Sequence, residues 1–488
     1  YVKAVNRPNT NMTYGYDVTI YGDTMAVGAY LEKSKQRSIT NGSTAASDDT
    51  AYNGAVYVYT RDNTSSWSQQ AYIKPSNAQQ TSSFFTYFGF TISLDNNTLA
   101  VGQQQDYSGQ NTITNGSENA SIDTSSAGSG AVFVYTRSGI DWSQQAYIKA
   151  SNNDSQDNFG RSVALSGDTL VVGAHTEGSK QSSITNGTGS STNNSNASSG
   201  AVYVYTRSGT NWIQQAYIKA SNSEADDQFG EKVDIDNDTI VVRAIGESSN
   251  QTTITNNQSG SSSDNSNQNS GAVYVYTRYD GTSWRQQAYI KSSNNDASDY
   301  FGSGISLSGD TLAVGALGED SNQTSITNGS TSSDDNSAAN SGAVYIYTRS
   351  GPEWIQQAYI KPSNAVESGG FGSSVSLKGD LLVVGAEAED SNSTSIVNGS
   401  TASLDTSRGN SGAVYVFKRS GTSWSQIAYI KAVNADESDS FGGATGLDNS
   451  TIVVGARNEA SNTTSIINGT TASSDNSQSG NGAAYVYR

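Results

Sequence analysis

The chain has no cysteine, one histidine, four prolines and no long apolar run, and each shortage closes off a class of protein. Without cysteine there is no disulfide framework and no thiolate metal or redox centre. His175 stands alone, so a multi-histidine metal site is out of reach. No stretch approaches the roughly 18 apolar residues of a membrane span, and membrane insertion is not expected. Cations are few as well: 27 basic residues face 45 acidic ones, net -18, a balance that repels phosphate and argues against nucleic acid as a partner. Hydrophobic content is 34% and charged content 15%, against about 45–50% and 25% in ordinary domains. Serine, threonine, asparagine and 49 glycines fill the difference, which implies long polar connections.

What the chain has is repetition. Phe301-Gly302-Ser-Gly-Ile-Ser-Leu-Ser-Gly-Asp-Thr-Leu-Ala-Val-Gly315 recurs along its whole length, with units opening near residues 14, 88, 159, 229, 301, 371 and 441. Seven units of about 70 residues therefore make up a single domain, 1–488. Each unit holds four short apolar runs separated by turn signals, in the third unit Ser162–Leu165, Thr169–Val172, Ala201–Thr206 and Trp212–Ile218. No helical periodicity appears, so the class is all-β, with four antiparallel strands per unit. The first two strands meet at Ser166-Gly167-Asp168 or Asp95-Asn96-Asn97, and the last two at Arg207-Ser208-Gly209-Thr210; both are hairpin turns.

The third strand alternates aliphatic and aromatic residues, as in Ala272-Val-Tyr-Val-Tyr276, and leaves no polar face. Such a sheet must be covered on both sides. Seven sheets set radially, each packed on two neighbours, give a seven-bladed β-propeller. The ends of the chain complement each other. Tyr1-Val2-Lys3 matches the end of a fourth strand (Tyr217-Ile218-Lys219) and Tyr485-Val486-Tyr487-Arg488 the end of a third. The N-terminal strand is expected to complete the C-terminal blade, which accounts for six tryptophans (Trp67, Trp142, Trp212, Trp284, Trp354 and Trp424) among seven units.

The Phe-Gly openings and the Val-Gly-Ala element (Val172-Gly173-Ala174, Val314-Gly315-Ala316, Val454-Gly455-Ala456) resemble the FG-GAP repeat family, the repeats of integrin α-subunit propellers and of many secreted or surface-attached microbial proteins. The resemblance spans all seven repeats. It implies a seven-bladed propeller used outside the cell for adhesion or ligand binding. Many members hold calcium between strands one and two, where several carboxylates converge. Here that loop has shrunk to Ser-Gly-Asp or Asp-Asn-Asn with one or two acids, so no cofactor is expected and calcium stays an open alternative.

A second acidic series follows strand two: Glu32, Asp106, Glu177, Glu247, Glu319, Glu389 and Glu459. One reading makes these weak metal candidates. The other pairs them with two equally regular cationic series, Lys3, Lys74, Lys149, Lys219, Lys291, Lys361, Lys431 and Arg61, Arg137, Arg207, Arg278, Arg349, Arg419, Arg488, as intrablade ion pairs. The connection from strand two to strand three exceeds twenty residues in every unit. Its one apolar position (Ile39, Ile113, Ile184, Ile254, Ile326, Ile396, Ile466) marks an anchored loop, and the seven loops form a polar rim on one face. The rim carries N-glycosylation sequons at Asn41, Asn115, Asn186, Asn257, Asn328, Asn398 and Asn468, and at Asn250, Asn322, Asn392 and Asn462.

No catalytic residue stands out. His175 occupies a position that is Tyr30, Leu317, Glu387 or Arg457 in other units and reads as an exposed loop residue, and no nucleophile is spaced with a base. The tyrosines, 28 in all, read as packing between blades. The sequence therefore reads as a secreted or cell-surface, non-enzymatic binding or adhesion scaffold that meets a protein or glycan partner. The alternatives are a structural subunit of an extracellular filament or coat, joined to other copies of itself by strand exchange at Tyr1–Lys3, and a polysaccharide-active enzyme. Because the chain starts within a repeat and without Met, removal of a signal peptide or longer upstream region is expected.

Overall fold

The computed structural model describes residues 1–6, 11–46, 51–81, 83–116, 120–257 and 261–488, and these form an all-β, seven-bladed propeller. Six blades have five strands each and the seventh has three. In the third blade the innermost strand is Ser162–Ser166, followed by Thr169–Ala174, Ala201–Ser208 and Asn211–Ile218. The expected four strands are all present, paired antiparallel in sequence order. The fifth is a correction to the sequence reading. Ile184–Asn186, part of the long connection, folds back along the fourth strand with Ile184 opposite Ile218 and Asn186 opposite Ala216. Three residues in a polar loop carry too weak an alternation to announce a strand, so the sequence showed only the isoleucine.

Alternation explains how blades stack. Val202, Val204 and Ile218 of the third blade share one core with Phe229, Tyr274, Tyr276 and Trp284 of the fourth. The opposite face of the third blade, with Tyr203, Tyr205 and Trp212, packs on Val132 and Val134 of the second. Aliphatic face thus meets aromatic face around the ring, and both are buried. Successive side chains supply the two faces in turn because the strand period is 2. The joints are tight at the backbone too: a Cβ on Gly173 would lie 1.9 Å from the Gly230 carbonyl oxygen of the next blade. That approach is why the element reads Val-Gly-Ala.

The ring closes on itself. Gly455 of the last blade packs against Gly15 of the first as Gly173 does against Gly230. Val2 pairs antiparallel with Ala484 through two backbone hydrogen bonds of 2.8 and 3.0 Å, so the chain's own first residues take the fourth-strand place of the seventh blade. One recurring residue departs from its series there. Arg488 occupies the register of Thr206, since Tyr487 pairs with Ile452 as Tyr205 pairs with Leu170, and it donates to Ser65 Oγ. The spacing of 69 residues after Arg419 concealed the one-residue offset.

The isoleucine anchors hold in six blades, each packed on the core it shares with the following blade. In the sixth blade Ile396 is half exposed, because the seventh blade has no tryptophan-bearing strand for it to cover.

Candidate functional site

The repeated ionisable residues are spent on the blades themselves. In each blade the acid after strand two is buried against the lysine that ends strand four: Glu32–Lys74 at 2.5 Å, Asp106–Lys149 at 2.9 Å, Glu177–Lys219 at 2.8 Å, and Glu247–Lys291, Glu319–Lys361, Glu389–Lys431 and Glu459–Lys3 at 2.7 Å. The carboxylate also takes an asparagine Nδ2–H, from Asn152 to Glu177 and from Asn294 to Glu319, and in most blades a tyrosine hydroxyl, as from Tyr359 to Glu319. Burial pushes the lysines down while the carboxylate pulls them back. A buried charge is tolerated when it is paired and its remaining lone pairs are filled, which is the state of all seven acids. The seven weak metal candidates thus face their own lysines.

The arginines act on the opposite face. Arg207 bridges to Asp168 of the strand one–two turn at 2.7 Å, and Arg61, Arg278, Arg349 and Arg419 repeat the pair with Asp23, Asp238, Asp310 and Asp380. Each guanidinium also lies over the tryptophan of its own blade, 5.2 Å from the ring centre for Arg207 and Trp212. In these five blades the turn acid is thereby taken by arginine, and among the described residues no three His, Asp or Glu side chains converge.

The first sequon series serves the joints. Trp284 N–H donates to Asn186 Oδ1 at 2.8 Å, and Asn186 Nδ2 donates to the Trp284 carbonyl at 3.3 Å. Asn41, Asn115 and Asn468 hold Trp142, Trp212 and Trp67 in the same two-point way, and Asn328 accepts from Trp424 N–H. In the fourth blade Asn256 clasps Trp354, leaving Asn257 exposed at φ 64°. Asn398 has no tryptophan in the seventh blade to clasp. Asn322 and Asn392 of the second series lie exposed, bonded to Ser337 and Ser407; Asn250 and Asn462 are exposed too. The acceptor hydroxyls Ser117 and Ser259 fall outside the described residues.

Sevenfold likeness also breaks at one mouth of the central channel, the upper one. The innermost strands line this channel, and the residues directly after the opening Tyr-Gly or Phe-Gly differ in kind around the ring: Tyr16 and Phe90, then Arg161 and Glu231, then small residues at 303, 373 and 443. Arg243 stands where six blades have the joint glycine or its equivalent, and its side chain lies against Gly302. Glu231 bridges Arg161 at 2.6 Å and Arg243 at 2.7 Å; across the mouth Arg457 bridges Glu387 at 2.5 Å. Lys232 donates to the Ser303 carbonyl at 2.5 Å. The cavity within holds about 350 Å³.

Burial and charge set the protonation of this cluster. Burial alone would raise the Glu231 carboxyl, but Arg243, Arg161 and Lys232 hold it well below the usual range. Burial, with Arg243 beside it, brings Lys232 down to about 8. Asp17 and Asp234 are pushed up by burial to about 6 and about 7, although each accepts backbone N–H groups from its own strand and the next blade's. His175 adjoins the same cluster: it is partly buried, burial and the Arg161 charge bring its ring down to about 4, and Nδ1 has no hydrogen-bond partner. This corrects the reading of an exposed loop residue. Four aromatic rings adjoin the charges. Arg161 lies 4.5 Å from the Phe90 ring centre and Arg457 5.9 Å from that of Tyr16, while Tyr16, Phe90 and Tyr30 pack within 5.3 Å of one another, with Tyr87 against Tyr30. The sequence could have found this site as the positions where otherwise matching repeats disagree.

The family model described as FG-GAP repeat matches residues 142–205, 212–276, 284–332 and 354–417. Each match starts at a tryptophan and runs from the fourth strand of one blade into the next blade. A comparison with curated proteins gives no match.

Proposed function

Starting from the fact that this chain belongs to the FG-GAP repeat family, we propose that it is a secreted or cell-surface, non-enzymatic scaffold that binds a partner protein or glycan on its upper face. The observation that carries the reading is the division of labour among polar residues. Repeated acids, lysines, arginines and asparagines hold blades and joints together, whereas the charged and aromatic residues that differ from blade to blade gather at the channel mouth. A scaffold of this kind keeps its framework constant and places recognition where the repeats diverge. The propeller fold and the family's extracellular habit support both the scaffold role and the location.

The test is a screen of the immobilised full chain against a glycan array and a panel of extracellular proteins. Binding that is lost when bulky groups are attached to the upper face, and kept when they are attached to the lower, is the expected result. Binding blocked only from the lower face or the outer rim would overturn the reading.

A further inference from the structure

We propose that the channel mouth binds a carboxylate-bearing sugar, with the acid held between Arg161 and Arg457 and the sugar body against Tyr16 and Phe90. The inference rests on the scaffold reading above and names its ligand class.

Four observations lead there. First, cations are concentrated here. In a protein of net charge -18, Arg161, Lys232, Arg243 and Arg457 converge on a mouth that also holds the paired carboxylates Glu231 and Glu387 and the carboxyl groups of Asp17 and Asp234, both raised by burial. Second, those carboxylates orient the arginines without exhausting them: Glu231 takes only one nitrogen of Arg161, and the buried Arg161 Nε has no partner. A guanidinium has five N–H donors, so an arriving carboxylate meets donors already aimed and partly desolvated. Third, both guanidinium charges act on the Tyr16 hydroxyl, so the two arginines flank one aromatic wall rather than standing at unrelated points. Fourth, the lining adds hydroxyls, among them Thr91, Ser162, Ser306, Ser374 and Thr445, to its aliphatic residues and to Asp17 and Asp234, in a cavity of about 350 Å³. A ring stacked on an aromatic face with hydroxyls beyond it is the demand of a sugar. A sulfate or phosphate would use the arginines and hydroxyls and leave the aromatic wall idle.

The experiment is a titration of the purified full chain, by calorimetry and ligand-observed NMR, with glucuronate, galacturonate, glucose and inorganic sulfate. The account expects the uronates to bind at least tenfold more tightly than glucose or sulfate. Arg457→Gln and Arg161→Gln should each weaken uronate binding at least tenfold, and Lys378→Gln at the other end of the channel should not. The Arg457 side chain is 32% exposed, so its variant is expected to fold, which the unfolding midpoint verifies. Sulfate binding equal to uronate would overturn the sugar assignment, and uronate binding unchanged in Arg457→Gln would overturn the site. A neutral glycan or a protein bound on the upper face with no uronate binding would sink this inference and leave the scaffold reading standing; absence of any upper-face ligand would sink both.

Discussion

Asn186 and Trp284 belong to different blades, yet the amide of the first spans the backbone of the second, accepting from its N–H at 2.8 Å and donating to its carbonyl at 3.3 Å. The clasp ties the outer edge of one sheet to the outermost full strand of the next. It works beside the aliphatic-to-aromatic packing, which acts closer to the axis.

Asn186→Ala should therefore destabilise the joint by about 1–3 kcal/mol, the cost of leaving two half-buried backbone groups without partners. Asn398→Ala, which has no tryptophan to release, should be close to neutral. Hydrogen exchange is the suitable measurement, because a ring of repeats opens locally before it unfolds. Faster exchange at residues 284–290 in the first variant only is the expected pattern.

Lys219→Met leaves Glu177 buried with its asparagine but without its cation. Breaking a buried pair from one side costs about 3–5 kcal/mol. Urea unfolding at pH 7 should show that loss, and the double variant Lys219→Met with Glu177→Gln should recover much of it.

Stability should decline as pH rises from about 4 to about 8. Burial raises Asp157 and Asp299 to about 8 and Asp227 and Asp439 to about 7. The folded state therefore holds protons that the unfolded chain, titrating near 3.9, has released. Their stabilising contribution is complete below the unfolded value and is lost as pH climbs through the folded ones. Asp299→Asn keeps the oxygen that accepts the Asp296 N–H, and should raise the thermal midpoint by one to a few degrees at pH 8.5 while giving no gain at pH 4.

Produced through a eukaryotic secretory pathway, the folded chain should carry N-glycan at Asn250, Asn257, Asn322, Asn392, Asn398 or Asn462 and lack it at Asn41, Asn115, Asn186 and Asn468. An N-linked sugar replaces the amide hydrogen beside the carbonyl oxygen, the hydrogen that a two-point clasp needs. Glycopeptide mass spectrometry reads occupancy site by site; glycan on Asn186 in native, monodisperse protein would contradict the clasp.

The sequence exposed the parts of this fold that repetition amplifies. Six Phe-Gly openings and one Tyr-Gly, a two-sided third strand and complementary ends were enough to count the blades and locate the seam. It concealed what depends on a partner far along the chain. Asn186 reads as a turn residue until Trp284 is placed beside it, 98 residues away. The mouth cluster was hidden for the opposite reason. Arg161, Glu231, Arg243 and Arg457 fall in three different units and look like drift within a repeat, and only ring closure brings them round one axis.

The central claim is that framework residues are spent internally and recognition belongs to the channel mouth. Hydrogen exchange of the full chain with and without a saturating uronate oligomer tests it most directly. The account predicts slowed exchange at residues 14–18, 88–92, 159–163, 229–233 and 441–445, with the outer connections unchanged. Protection confined to the outer connections, such as 185–197, with the channel wall unaffected, would contradict it.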